Sequence, residues 1–80
     1  MRYVYLLESM SHQDGRYVGL TTDLNLRLKE HNAGRSPHTA KLRPWRMVVA
    51  IRFENNRKAQ DFEKYLKSGS GHAFAKRHFW

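Results

Sequence analysis

Two side chains that can act together on an anion stand four residues apart in this chain, Arg27 and His31. On a helix, that spacing projects both from the same face. Arginine can hold an oxyanion through two parallel hydrogen bonds, and histidine can transfer a proton near neutral pH. The alternative explanation is an ordinary solvated helix face that happens to carry both residue types.

A carboxylate stands within a second apolar pattern. Glu63 follows Ala59 by four residues and precedes Leu66 by three, so a helix here would carry it on the buried side. A buried carboxylate is costly unless it is paired or binds a cation. Two explanations stay open: Glu63 reaches water or a neighbouring arginine at the edge of the stripe, or it is a ligand for a hard cation such as Mg²⁺.

Two tyrosines form the third candidate group. Residues 3–5 (Tyr-Val-Tyr) and 17–19 (Tyr-Val-Gly) flank a polar run, which predicts a β-hairpin. If the pairing is symmetric about the loop, Tyr5 faces Tyr17 and both phenols project from one face. Most strand tyrosines only pack. With a pKa of about 10, a phenol acts as a base only beside a positive charge such as Arg27 or a metal.

Hydrophobic periodicity predicts the elements that must position these groups. They run strand, strand, helix, strand, helix, helix, over about residues 2–8, 15–20, 24–33, 45–54, 56–68 and 70–80. The N-cap candidates of the first helix are residues 21–23, and this helix ends before Gly34. Asn55 or Asn56 caps the second helix. This order is typical of one α+β domain over residues 1–80, a small mixed or antiparallel sheet with helices packed against it.

The third strand has the clearest period-two alternation. It predicts that one face of this strand is apolar throughout, carrying Trp45, Met47, Val49, Ile51 and Phe53. Trp45 could stack on a nucleic-acid base, but we expect it in the core. The long connection before this strand allows it to lie beside the first strand of the hairpin.

The charge balance predicts the class of partner. The chain has 15 Lys and Arg against 7 Asp and Glu, a formal net charge of +8, which favours a polyanion and most simply nucleic acid. An anionic membrane surface is the alternative, but the sequence lacks the long basic amphipathic helix that binding to such a surface would need. We expect the basic segment around the third strand to contact the phosphate backbone through Arg35, Lys41, Arg43 and Arg46.

The absence of cysteine and the hydropathy of the chain exclude several kinds of site and of membrane or secretory segment. The chain has no cysteine, which excludes disulfides, thiolate metal sites and cysteine catalysis. The first ten residues are too short and too polar for a signal peptide, and no run reaches transmembrane length. We therefore expect a cytoplasmic protein that does not bind membranes.

Together these residues resemble the motif set of the GIY-YIG nuclease superfamily, and most closely its small single-domain bacterial members. The resemblance rests on the two tyrosine motifs, eleven residues apart, followed by Arg27, His31 and Glu63. It extends over essentially the whole chain. It implies a three-stranded antiparallel sheet flanked by helices, and a phosphodiesterase site using one divalent cation, Mg²⁺ or Mn²⁺.

The resemblance also implies a role for each matching residue. Glu63 matches the metal-binding glutamate, and Arg27 matches the arginine that stabilises the phosphate in the transition state. His31 fills a position taken by His or Tyr in active members. Tyr5 and Tyr17 match the motif tyrosines, one of which activates the water, and Gly19 matches the motif glycine.

The sequence departs from the family pattern at two places. Tyr3 stands where the first motif usually has Gly, and no Asn follows Asn56, whereas many active members have one in their last helical region. Our first hypothesis is a metal-dependent endonuclease acting on DNA with low sequence specificity, with repair or recombination intermediates as substrates. The alternative is a non-catalytic nucleic-acid-binding module. A third hypothesis is an interaction subunit, and in either nucleic-acid role a protein partner could supply specificity.

Overall fold

The structure, a computed structural model, describes all residues from 1 to 80. Three strands form one antiparallel sheet in the order β2-β1-β3, with three helices in the predicted sequence of elements. The elements are β1 (Arg2–Ser9), β2 (Arg16–Thr21), α1 (Leu24–Asn32), β3 (Trp45–Phe53), α2 (Asn56–Leu66) and α3 (Gly69–His78), with a 3₁₀ turn at Ala40–Leu42. This confirms the α+β fold class and the position of the third strand beside the first.

Side-chain caps explain where the helices begin. Asp23 accepts a hydrogen bond from the Leu26 amide at 3.0 Å, and Asn55 accepts one from the Lys58 amide at 3.1 Å. Both satisfy backbone donors that the first turn of a helix leaves free. After α1, Gly34 has a φ of 78°, a left-handed conformation that favours glycine and ends the helix. The predicted starts of α1 and α2 are therefore confirmed.

The register of the hairpin differs from the prediction by two residues. Tyr5 pairs with Gly19, and Tyr17 pairs with Leu7, so the two tyrosines are not directly opposite. The strands pair symmetrically about His12, whereas pairing of Tyr5 with Tyr17 would require symmetry about Ser11. Tyr5 and Tyr17 nevertheless share a face as diagonal neighbours, with ring centroids 6.2 Å apart.

A β-bulge in β3 overturns the prediction of one continuous apolar face. Leu6 pairs with Val49 and Leu7 with Met47, so Val48 is an extra residue without a partner. An extra residue resets the alternation. Met47 consequently packs with the Tyr5 side of the sheet, together with Trp45, whereas Val49 and Phe53 pack on the opposite side.

Both faces of the sheet are therefore covered. On one face, Val4 and Leu6 pack against Ala59 and Leu66 of α2 and Ala75 of α3. On the other, a smaller cluster of Tyr5, Leu7 and Trp45 packs against Leu24 and Leu28 of α1 and Leu42. Trp45 is buried, which confirms its predicted place in the core. No helix of the fold combines the length and the apolar character needed to cross a bilayer.

Candidate functional site

Tyr5 is the centre of a hydrogen-bonded group between the sheet and α1. Its hydroxyl lies 2.8 Å from Nε2 of His31, and Arg27 Nε donates to it at 3.2 Å. Only 1% of Tyr5 is exposed, and His31 is fully buried. The four-residue spacing thus brings Arg27 and His31 onto the same phenol, as predicted from the helical period.

Thr39 holds the second nitrogen of His31. Its hydroxyl oxygen is 2.8 Å from His31 Nδ1, and it donates in turn to the Ser36 carbonyl at 3.4 Å. Because Arg27 already donates to the Tyr5 oxygen, we assign the phenol proton to His31 Nε2, which puts the ring proton on Nδ1, facing Thr39. We call Arg27, Tyr5, His31 and Thr39 the Tyr5 network. No sequence signal identified Thr39.

Burial keeps the two inner members of the Tyr5 network uncharged. It lowers the pKa of His31 below its ordinary value; the Arg27 charge adds to this, and Glu30 opposes it. Burial also raises the pKa of Tyr5 above its ordinary value, although the hydrogen bond and charge of Arg27 act in the other direction. Arg27 thus places a positive charge beside the phenol, yet Tyr5 stays protonated near neutral pH.

Two hydrogen bonds hold the Arg27 guanidinium in place, and its remaining edge has no hydrogen-bond partner in the protein. Its Nη1 donates to Glu30 at 3.1 Å while its Nε donates to Tyr5, and no protein hydrogen bond reaches Nη2. The hydrogen bond to Tyr5 is the main reason that the pKa of Arg27 is raised, so the group stays charged. A third of the side chain is exposed. Its guanidinium can therefore accept an anion at a fixed orientation.

Tyr17 is the more accessible of the two motif tyrosines. Its ring lies 5.0 Å from the His31 ring, but its hydroxyl makes no hydrogen bond within the protein. It also lines a cleft of about 460 Å³ at the edge of the sheet. Tyr17, rather than the enclosed Tyr5, can therefore contact a substrate or a water molecule directly.

Gly19 leaves the space that the Tyr5 ring occupies. A methyl group at this position would lie 2.6 Å from Cζ of Tyr5 and 2.9 Å from Cε2 of Tyr17, closer than such atoms approach. The group that approaches this glycine is the neighbouring phenol. Any larger residue would displace the hydroxyl from Arg27 and His31.

Glu63 lies near Tyr17 but outside the Tyr5 network. Its side chain is 14% exposed and forms an ion pair with Lys67 at 2.5 Å. The Lys67 ammonium is 5.9 Å from the centre of the Tyr17 ring, which links the carboxylate to that side of the site. No three His, Cys, Asp or Glu residues cluster as a metal cage. One shielded carboxylate fits Mg²⁺ held together with water and a phosphate, but not an all-protein site.

The structure separates the four predicted backbone-binding cations into two sets. Arg35, Lys41 and Arg43 are exposed and make no ion pair, and the Arg43 guanidinium lies over Gly34 at the end of α1. Arg46 instead pairs with Glu8 at 2.6 Å, on the face of the sheet away from Tyr5. Arg46 therefore does not belong to the same surface as the other three.

Comparison with known proteins shows which family the chain resembles. The GIY-YIG catalytic domain family matches residues 1–77. A UPF0213 protein of Clostridium perfringens is 38% identical over 68 residues, covering 84% of this chain and 71% of its own length. UPF0213 proteins of Halalkalibacterium halodurans and Cupriavidus necator are each 36% identical, covering 81% of this chain and 68% and 70% of their own lengths. The chain therefore belongs to the GIY-YIG nuclease family, alongside small bacterial relatives.

Proposed function

We propose that this domain hydrolyses phosphodiester bonds of DNA as an endonuclease and requires one divalent cation, Mg²⁺ or Mn²⁺. The observation that carries the proposal is the Tyr5 network, which sets a charged Arg27 beside an accessible Tyr17. Cleavage of a phosphate ester needs neutralisation of the developing negative charge, an activated water and stabilisation of the leaving oxygen. The first two of these needs have candidate groups here.

Arg27 is the candidate for neutralising the phosphate. Its free Nη2 edge can donate to a non-bridging oxygen of the scissile phosphate, while Tyr5 and Glu30 hold the other edges. A guanidinium already fixed in orientation loses little freedom when the transition state forms. In this role Tyr5 is a positioning residue, because its hydroxyl is enclosed and serves Arg27 and His31.

Tyr17 is the candidate for contacting the attacking water. Its hydroxyl is free of protein partners and stands next to the His31 ring. We expect it to orient the water for attack opposite the leaving oxygen. His31 contacts the side chains of both tyrosines. Because its imidazole is neutral, it adds no second positive charge to the site.

Glu63 is the residue that would hold the cation, with the remaining ligands supplied by water and a phosphate oxygen. When bound, the cation would stabilise charge on the phosphate and lower the pKa of its bound water. Lys67 occupies the Glu63 carboxylate here, so binding requires that ion pair to open. Divalent cations are typical of this family.

The substrate follows from the charge distribution. Arg35, Lys41 and Arg43 offer contacts to backbone phosphates, which carry no sequence information. We therefore propose low sequence specificity, with repair or recombination intermediates as the DNA substrates. A protein partner would supply any further selectivity.

A second candidate is a nucleic-acid-binding module that does not cleave. Two observations favour it: Glu63 already has a cationic partner in Lys67, and no Asn follows Asn56. Such a module would bind DNA with a steep salt dependence, and binding would survive removal of the Glu63 carboxylate.

Cleavage assays separate the two candidates. Supercoiled, linear and branched DNA would be incubated with the protein in Mg²⁺, in Mn²⁺ and in EDTA. We expect metal-dependent cutting that Glu63→Ala lowers at least about a hundredfold, the loss typical of removing one charge-stabilising group. Asp61→Ala is the matched control, since it removes an exposed carboxylate from the same helix.

Equal cutting by the parent and the Glu63→Ala protein would overturn the enzyme proposal. Binding without cutting by both proteins would favour the second candidate.

A further inference from the structure

The cleft beside Tyr17 is not used by the chemistry proposed above. It lies between the start of β2 and the ends of α2 and α3, and its apolar lining includes Val18, Leu66 and Trp80. Its volume of about 460 Å³ falls in the range of about 300–1,000 Å³ typical of pockets that bury one small molecule. We call it the Trp80 cleft.

Cations surround the aromatic wall of the Trp80 cleft. Arg16, Lys67 and Lys76 all line it, and the Arg16 guanidinium lies over the Trp80 ring, 4.9 Å from its centre, so a base that stacks on this face must displace it. Asp14 is the one carboxylate in the lining; its side chain is 80% exposed and lies 4.0 Å from Arg16, a weak surface pair. An apolar wall with a basic rim suits a ligand that has both a flat ring and a phosphate.

We propose that the Trp80 cleft holds one unpaired nucleotide of the DNA strand, adjacent to the scissile phosphate at Arg27; this inference rests on the proposed function. The base would replace the Arg16 guanidinium on the Trp80 ring, and the released Arg16 together with Lys76 would contact the flanking phosphates. Tyr17 forms a wall of both the cleft and the Tyr5 network, so the nucleotide is a neighbour of the cleaved bond.

The nucleotide must be unpaired because of how bases are stacked in a duplex. A base inside a duplex is covered by its neighbours on both faces, so a side chain can stack on it only after it leaves the helix. The volume of the cleft suits one nucleotide but not a continuous duplex. The domain should therefore prefer single strands, and the unpaired positions of branched DNA, to intact duplex.

Binding measured in EDTA tests this inference independently of cleavage. A labelled single-stranded oligonucleotide and the matched duplex would be titrated with the full chain. We expect the single strand to bind more tightly and Trp80→Leu to weaken it by about fivefold to a hundredfold, the range for losing one base–aromatic stack. Trp80→Phe should keep most of the affinity, because phenylalanine still stacks.

Charge variants test the rim of the cleft. Lys76→Ala should lower the affinity for the single strand and reduce the slope of log K against log salt by about 0.7, the value for one phosphate contact. Lys64→Ala is the matched control, because Lys64 also lies in the last turn of a helix and is unpaired, but does not line the cleft. It should leave affinity for the single strand unchanged.

Tryptophan fluorescence of the parent protein provides a measurement that needs no variant to fold. Trp45 is buried, so quenching by the oligonucleotide would report on Trp80. We expect quenching by the single strand and little by the duplex. The inference is overturned if both bind equally, if Trp80→Leu binds like the parent, or if a free mononucleotide competes as well as the oligonucleotide. Loss of cleavage alone would count only against the proposed function.

Discussion

Thr39 illustrates how much of the site depends on a single hydroxyl. Its hydroxyl holds Nδ1 of His31 at 2.8 Å, and its carbonyl also accepts the indole hydrogen of Trp45 at 2.9 Å. The spacing of Arg27 and His31 could be interpreted from the helical period alone. Thr39 could not, because it reaches His31 only through the fold of the segment after α1, which no local periodicity describes.

The neutral state of His31 makes stability depend on pH. Burial lowers the folded-state pKa of His31 below the unfolded value of about 6.5, so the unfolded chain binds more protons in that range. The free energy of unfolding should therefore fall as the pH drops from about 7.5 through 6.5 toward the lowered folded-state pKa. Urea denaturation at several pH values measures this slope.

Two histidine variants isolate that contribution. His31→Gln should flatten the slope between about pH 7.5 and the onset of carboxylate titration, because it removes the buried titrating group. His38→Gln should keep the slope of the parent protein, since His38 is exposed. A parent and a His31→Gln protein with the same slope would contradict the assignment of a neutral buried imidazole.

At the scale of elements, the sequence predicted which segments form but not how the strands align. The order of elements and the caps Asp23 and Asn55 follow from local chemistry. The hairpin register depends on how seven loop residues close, and the bulge at Val48 lies within an unbroken apolar alternation. Because helices cover both faces of the sheet, apolar residues are needed on both sides. The hydrophobic pattern of β3 therefore cannot show where its apolar side chains change from one face to the other.

Deleting Val48 tests the importance of the bulge. The deletion would remove the unpaired residue and leave Met47 opposite Leu7 and Val49 opposite Leu6, so Trp45 and Met47 would stay on the Tyr5 side of the sheet. We expect a loss of no more than about 1.5 kcal/mol, because both cores keep their residues. Thermal and urea unfolding followed by circular dichroism would measure it.

Val48→Ala is the control for that deletion. It shortens the same side chain but keeps the extra residue, so the loss should stay below about 1.5 kcal/mol for this half-buried position. A deletion variant that loses more than about 3 kcal/mol would show that the bulge itself, and not only the faces that it aligns, is needed for the stability of β3.

At the scale of the whole molecule, the positive charge is unevenly used. Of the 15 Lys and Arg residues, six form ion pairs and nine do not. The net charge alone predicted a polyanionic partner, whereas only the structure separates Arg43 from Arg46. The sequence could not do so, because the pairing of Arg46 with Glu8 joins residues 38 positions apart.

Paired arginine variants test this distribution. Arg43→Ala should weaken DNA binding and reduce the slope of log K against log salt by about 0.9 on duplex DNA, because an unpaired cation is lost. Arg46→Ala should change both much less, since Glu8 already compensates its charge. Equal effects of the two changes, measured by fluorescence anisotropy in EDTA, would count against this binding surface.

The central strand has a consequence for how this domain tolerates sequence change. Val4, Tyr5, Leu6 and Leu7 are consecutive and all nearly inaccessible to solvent, with alternate members belonging to opposite cores. A strand with one solvated face leaves every second position free to vary. Here four successive positions lack that freedom, so two of them constrain the packing of α2 and α3 while the intervening ones constrain the site. Changes to the chemistry of this domain are therefore easier to accommodate in α1, β2 and the loops than in this central strand.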